Sequence, residues 1–219
     1  MHYHFGVVLG LILLSIGFQM AAGQSDPARL VAVILQAITL VAAVVASRAH
    51  PAITRLAVLG GLLAIVAAAL AIMGTAQTGN GSGRALTMLL VALAPVAIVT
   101  GMIKMFRERG RITVETMFGV LCIYLLVGMF FGTADAAIEE IGGHAFFRQL
   151  TAVQSQTSDF LYFSYTTLTT VGYGDLTAAT NLGRSLAMVE ALVGQIYLVT
   201  VVAVIISNLR PARRSQSAG

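Results

Sequence analysis

Six long apolar runs constrain the fold of this chain more than any other feature. An α-helix needs roughly 20 consecutive apolar residues to cross the hydrocarbon core of a bilayer. Because 58% of the residues are hydrophobic and only 10% are charged, a soluble globule of this size could not bury them all. The sequence therefore predicts an all-α membrane protein with six transmembrane helices. The predicted spans cover residues 5–23, 28–47, 52–73, 85–103, 112–133 and 182–208.

The cations lie mainly in short gaps between the apolar runs and in the tail, which sets the predicted topology. Cytoplasmic loops carry an excess of Lys and Arg, so both termini are expected in the cytoplasm, in a multi-pass protein of the plasma membrane surrounded by lipid. The same clustering argues against nucleic-acid binding. One alternative stays open, because residues 20–23 faintly resemble a signal-peptide cleavage region. The cytoplasmic cations are Arg48, Arg55, Lys104, Arg107, Arg109, Arg111, Arg210, Arg213 and Arg214.

A shorter apolar piece, residues 160–168, lies between the last two predicted spans. It is too short to cross a bilayer and is typical of a re-entrant helix, which enters the membrane and ends inside it. Ser158 or Asp159 is expected to cap its start. The negative end of its dipole then lies at its C-terminus, next to the segment that follows.

That segment reads Thr169-Thr170-Val171-Gly172-Tyr173-Gly174-Asp175, with glycines alternating with larger residues. A chain that presents successive carbonyls to one side needs backbone angles closed to ordinary residues, and glycine reaches them without steric cost. Carbonyl oxygens arranged in this way can replace the hydration shell of a potassium ion. The segment is therefore a candidate selectivity filter.

These seven residues, set between two predicted spans, resemble the filter of the potassium channel family. The resemblance is specific over residues 112–210 and only architectural before them. It implies that copies of the chain assemble as a homotetramer around one pore, with K⁺ as the permeant ion and no cofactor. The implied ion sites are the Thr170 hydroxyl and the carbonyls of Thr170, Val171, Gly172 and Tyr173, with Gly174 completing the filter.

The resemblance also implies which residues support the filter. Thr169 and Asp175 flank it, and Thr166 stands where many relatives have a Glu that holds the filter Asp. This departure puts the stability of the filter in doubt rather than its selectivity.

By the same resemblance the chain divides into four parts. Residues 1–104 are expected to form a four-helix unit like a voltage sensor, 105–111 a cytoplasmic linker, 112–210 the pore domain and 211–219 a short basic cytoplasmic tail. The fourth predicted span has cations only at its two ends, so this sensor would lack gating charges. A tail of this length is not expected to hold a soluble ligand-binding domain.

The last span holds two predicted faces. One lines the inner cavity and gate, because its members recur at three- and four-residue spacing. The other, about 100° away by the helical repeat, contains Glu190, which is expected to reach Ser164 or Thr167 and brace the filter from behind, or else to be a neutral Glu bonded locally. Gly194 is either a bend or a close contact with a neighbour. The stripe consists of Gln195, Leu198, Val202 and Ile206, and Gly194 is assigned to the inner cavity and gate as the possible bend.

Three acids, Asp135, Glu139 and Glu140, follow the fifth predicted span. As part of an extracellular linker they are expected to concentrate cations at the outer mouth, or to form only a soluble turret.

Two other functions stay open: a less selective cation channel, and a regulatory subunit that assembles with other pore chains. An enzyme is not expected, because the four histidines are scattered and no catalytic or metal-spaced cluster is present. Cys122 lies in an apolar run and is predicted to be a buried hydrophobe. The preference for arginine over lysine favours a bacterial source.

Overall fold

The computed structural model describes residues 5–22, 26–46, 55, 58–62, 65–66 and 114–209. Within these ranges the chain is helical, and its one extended pairing is an isolated antiparallel bridge between Phe147 and Ala178. The prediction of an all-α fold is confirmed for this part of the chain. The helices are α1 Phe5–Ala21, α2 Asp26–Ala46, α3 Val114–Gly142, α4 Thr157–Leu168 and α5 Asn181–Leu209.

Two of these helices, α3 and α5, are long and apolar enough to cross a membrane by length and composition. The helix α1 and the part of α2 from Leu30 to Ala46 are apolar but shorter. Most of the third predicted span, the whole fourth span, the linker 105–111 and the tail 211–219 lie outside the described residues. The described helices therefore support a helical membrane protein, while six spans stay a prediction.

The helix α3 is longer than predicted, because the sequence pattern placed its end near residue 133 at the first charges. It continues to Gly142, and Gly143 then takes a left-handed φ of 64° that ends it. Asp135 is 1% exposed and Glu139 is 5% exposed. The expectation that these two acids face the outer solvent is therefore wrong.

Glu139 is buried because it holds the loop that returns from α3. Its Oε2 accepts a hydrogen bond from the Phe146 N–H at 2.8 Å and another from the Ser155 hydroxyl at 3.0 Å. A buried carboxylate is tolerated where such donors reach it. The burial of Glu139 depends on how the loop after α3 folds back over it, which a hydropathy pattern does not show.

The helix α1 packs directly against α3 and α4. Its inward residues recur every three or four positions, starting with Phe5, Val8 and Ile12, and they share one core with α2, α3 and α4. At the start of α1 the Phe5 N–H donates to Glu115 Oε2 at 2.9 Å. Cys122 is buried in the same core with a free thiol, as predicted. The first helix is thus anchored along α3.

Candidate functional site

The helix α4 starts at Thr157, three residues before the predicted apolar piece. Gln156 occupies the N-cap position, and its N–H donates to Asp159 Oδ2 at 2.8 Å. The predicted cap position at Ser158 or Asp159 is therefore wrong, although Asp159 does accept a hydrogen bond from the backbone at this end. Such a contact from the third helical residue is one half of a capping box.

Small residues bring α4 close to α3. A Cβ on Gly132 would lie 3.1 Å from the Phe160 carbonyl oxygen, a tight contact that the absence of a side chain avoids. One turn earlier, the Gly128 carbonyl lies 2.6 Å from the Ser164 hydroxyl. The Tyr165 hydroxyl donates to the Leu125 carbonyl at 2.7 Å. These contacts fix the depth and rotation of α4.

The end of α4 holds the first amides of the candidate filter. The Thr166 carbonyl accepts hydrogen bonds from Val171 at 2.9 Å and from Gly172 at 3.1 Å, and the Thr170 N–H donates to Thr167 O at 2.9 Å. Because these N–H groups point towards α4, the carbonyl groups of the same residues are free to point away from it. The first residues of the segment are thus tied to the end of α4 through their N–H groups.

Positive φ angles alternate along the filter. They are 59° at Thr170, 51° at Gly172 and 82° at Gly174, with ordinary values between them. In an extended strand successive carbonyls point in opposite directions, whereas left-handed residues at alternate positions turn the carbonyls to one side, as a ring of ion-binding carbonyls requires. The two glycines were expected from the sequence. Thr170 was missed, because a β-branched residue in this region costs about 1–2 kcal/mol and nothing in its residue type indicates it.

The side chains of Thr166 and Thr169 bond to their own helix. Thr166 Oγ1 donates to Phe163 O at 3.0 Å, and Thr169 Oγ1 donates to Tyr165 O at 2.6 Å. The contact between Thr166 and the filter is therefore made by its carbonyl, not by its hydroxyl.

Asp175 is held by an aromatic residue of α4, Tyr162. The Tyr162 hydroxyl donates to Asp175 Oδ2 at 2.8 Å, and this hydrogen bond raises the pKa of Tyr162 above its ordinary value. The rings of Tyr162 and Tyr173 lie parallel, with centroids 6.5 Å apart. The sequence shows a tyrosine two turns before the filter, but spacing alone does not indicate that its hydroxyl reaches Asp175.

The chain leaving the filter is clamped to the loop after α3. Ala179 N–H donates to Phe146 O at 2.7 Å, and Arg148 N–H donates to Thr177 O at 3.0 Å. The Gln149 amide bonds Thr177 twice, accepting from its N–H at 3.0 Å and donating to its hydroxyl at 2.9 Å. Beneath them lies a buried aromatic cluster made of Phe146, Phe147, Phe160 and Phe163. Sequence reasoning did not anticipate this clamp.

On α5, Glu190 is fully buried and turned towards α4. Its Oε1 lies 2.5 Å from the Ser164 hydroxyl, one of the two partners that the helical repeat suggested. Further along the same face, the Tyr197 hydroxyl donates to Val120 O of α3 at 2.6 Å. This face of α5, the predicted inner helix, therefore packs against α4, the predicted pore helix, and α3, the predicted outer helix.

Gly194 is a site of close packing. A Cβ there would overlap the Leu168 carbonyl oxygen at the end of α4, and α5 continues past it to Leu209. Of the two interpretations of Gly194, the structure favours close contact over a bend.

The predicted cavity stripe is only partly described. Gln195 and Leu198 are exposed in the single chain. Val202 and Ile206 belong to α5, but the structure describes only their backbone. The gate therefore stays a prediction.

Residues 119–210 match the family model described as "Ion channel". No curated protein matches the chain. The matched region begins within α3 and contains α4, the filter segment and all of α5. Together with the apolar helices, the match supports an ion channel function for this part of a membrane protein.

Proposed function

We propose that the chain is one subunit of a potassium-selective channel that conducts K⁺ passively across the plasma membrane. The observation that carries the proposal is the alternation of positive φ along Thr170–Gly174, immediately after a short helix. A selective potassium pore needs closely spaced carbonyl oxygens that replace the water around the ion. This backbone geometry supplies them from consecutive residues.

The proposed ion sites are formed mainly by oxygens of residues whose N–H groups bond to the end of α4. The N–H groups of residues 170–172 bond back to Thr166 and Thr167, which supports the carbonyl oxygens of these residues as ion ligands. The helix α4 ends at Leu168, directly before the filter, and its C-terminal dipole favours a cation there. The proposed sites are the Thr170 hydroxyl and the carbonyls of Thr170, Val171, Gly172 and Tyr173.

One chain offers one such strand, so several copies must surround the ion, and we propose four. The exposure of apolar groups supports assembly: in the single chain Val171 is 52% exposed and Tyr173 is 73% exposed. Much of α5 is exposed in the same way, and lipid or other copies must cover it. Its exposed large side chains include Leu182, Met188, Val189, Leu192, Ile196 and Val199.

Reconstitution into liposomes tests the proposal. Vesicles loaded with potassium should release it through the purified protein, while matched vesicles loaded with sodium should not. Equal release of both ions would instead indicate a less selective cation channel. No release from a folded oligomer would favour a regulatory subunit that needs other pore chains.

A further inference from the structure

Three polar side chains meet in the buried seam between α3, α4 and α5. Asp135 is 1% exposed, and Ser164 and Glu190 are fully buried. Asp135 follows Gly132 by three residues and so lies on the face of α3 that packs against α4. Ionisable groups at membrane depth are costly and usually serve a purpose. The seam lies on the side of α4 that carries Ser164.

Counting hydrogens limits the possible donors in this seam. The Ser164 hydroxyl lies 2.6 Å from the Gly128 carbonyl and 2.5 Å from Glu190 Oε1. A hydroxyl has one proton to donate, and a carbonyl can only accept. If Ser164 donates to Gly128, Glu190 must donate to Ser164, which requires a protonated carboxyl. The chain Glu190 to Ser164 to Gly128 then satisfies both contacts and joins all three helices.

The remaining oxygens of the two acids lack partners. Both carboxyl oxygens of Asp135 and Glu190 Oε2 are buried, with no hydrogen-bond partner among the described residues. The two Lys or Arg residues of 114–209, Arg148 and Arg184, are exposed, so neither is buried with the two acids. A buried ionised carboxyl without a counter-ion or donors is strongly disfavoured and takes up a proton instead.

The other titratable neighbours do not supply that proton. The charge of Glu190 would act on two tyrosine hydroxyls, those of Tyr124 and Tyr165. The Tyr124 hydroxyl donates to Leu168 O at 3.2 Å, and the Tyr165 hydroxyl donates to Leu125 O at 2.7 Å. Since both phenolic protons are engaged with backbone carbonyls, the proton in the seam belongs to the acids.

We propose that Asp135 and Glu190 form a buried proton-binding site behind the pore helix, from which Glu190 donates to Ser164. The site holds its proton at neutral pH and links the outer, pore and inner helices through it. This role is independent of which ion the pore conducts.

Infrared spectroscopy of the full-length protein in lipid tests the site directly. At neutral pH the parent protein should show the C=O stretch of a protonated carboxyl. Glu190→Gln and Asp135→Asn should each shift or weaken that band, and the double variant should remove the part of it that persists in Glu140→Gln, which removes another buried carboxyl. The matched control is Glu139→Gln, which removes another buried carboxyl, one whose Oε2 accepts two hydrogen bonds. The band should persist in it.

No protonated-carboxyl band in the parent would overturn the proposal, and so would a band that survives unchanged in the double variant. The amide bands of the same spectra report whether each variant is folded. If the double variant does not fold, Ser164→Ala replaces it: the band should move to the position of a less strongly bonded acid, and an unmoved band would contradict the site. The spectrum does not depend on conduction, so its failure and the failure of the proposed function are distinguishable.

Discussion

Gly172 carries the conformation on which the proposed ion sites depend. Its φ is 51°, and no atom lies near the position of an added Cβ, so Gly172→Ala acts through backbone strain and not through a clash. Left-handed backbone costs a non-glycine residue about 1–2 kcal/mol, enough to favour another filter conformation. We expect the variant to lose potassium selectivity, measured as a change in reversal potential. Gly17→Ala is the control, because its Cβ would meet open space without a positive φ, and it should behave as the parent.

Tyr162 and Asp175 form the contact at the outer end of the filter that we expect to slow its collapse. Tyr162→Phe removes the hydrogen bond but keeps the ring that stacks on Tyr173. Currents should decline faster during sustained conduction in this variant. Asp175→Asn should act through the same contact, so the double variant should be no faster than the more affected single variant. Additive effects would show that the two residues act separately.

The same hydrogen bond predicts a pH range. Because the pKa of Tyr162 is raised by the bond to Asp175, the contribution of the bond is complete below the ordinary tyrosine pKa of about 10 and is lost as the pH rises through the higher folded value. The rate at which the parent current declines should therefore stay constant from neutral pH up to about pH 10, because the Tyr162 hydroxyl keeps its proton over this interval. Tyr162→Phe serves as the reference that lacks the group.

At the scale of elements, the packing of α5 against the end of α4 is the contact most sensitive to volume. A Cβ at Gly194 would overlap the Leu168 carbonyl, and overpacking of this kind typically costs about 1–3 kcal/mol. Gly194→Ala should lower the thermal stability of the assembled protein and disturb conduction, with Gly17→Ala again as the control. A variant with parental stability would show that α4 and α5 can move apart here without a cost in free energy.

The elements also show what the sequence could and could not predict. The existence and order of α1, α2, α3, α4 and α5 follow from apolar runs, and the facing of Glu190 towards Ser164 follows from the helical repeat. The end of α3 did not follow, because Asp135 and Glu139 are charged in sequence but buried in structure. The clamp at Thr177 and the partner of Asp175 depend on how loops return in space, which local patterns do not encode.

At the scale of the whole molecule, the sequence of the fourth predicted span bears on voltage dependence. It holds Arg84 and Lys104 at its ends and no charge between them. Each charge moved through the membrane field contributes about 2.3 kcal/mol per 100 mV, so this span supplies little energy for gating. Open probability should change only weakly with voltage in planar bilayers, and a steep dependence would require gating charges elsewhere.

The reversal potential of a bilayer with potassium on one side and sodium on the other tests the central proposal most directly. A filter of consecutive backbone carbonyls should place the reversal potential close to the value set by the potassium gradient. A reversal potential near zero, from currents that Gly172→Ala leaves unchanged, would contradict a potassium-selective filter at Thr170–Gly174.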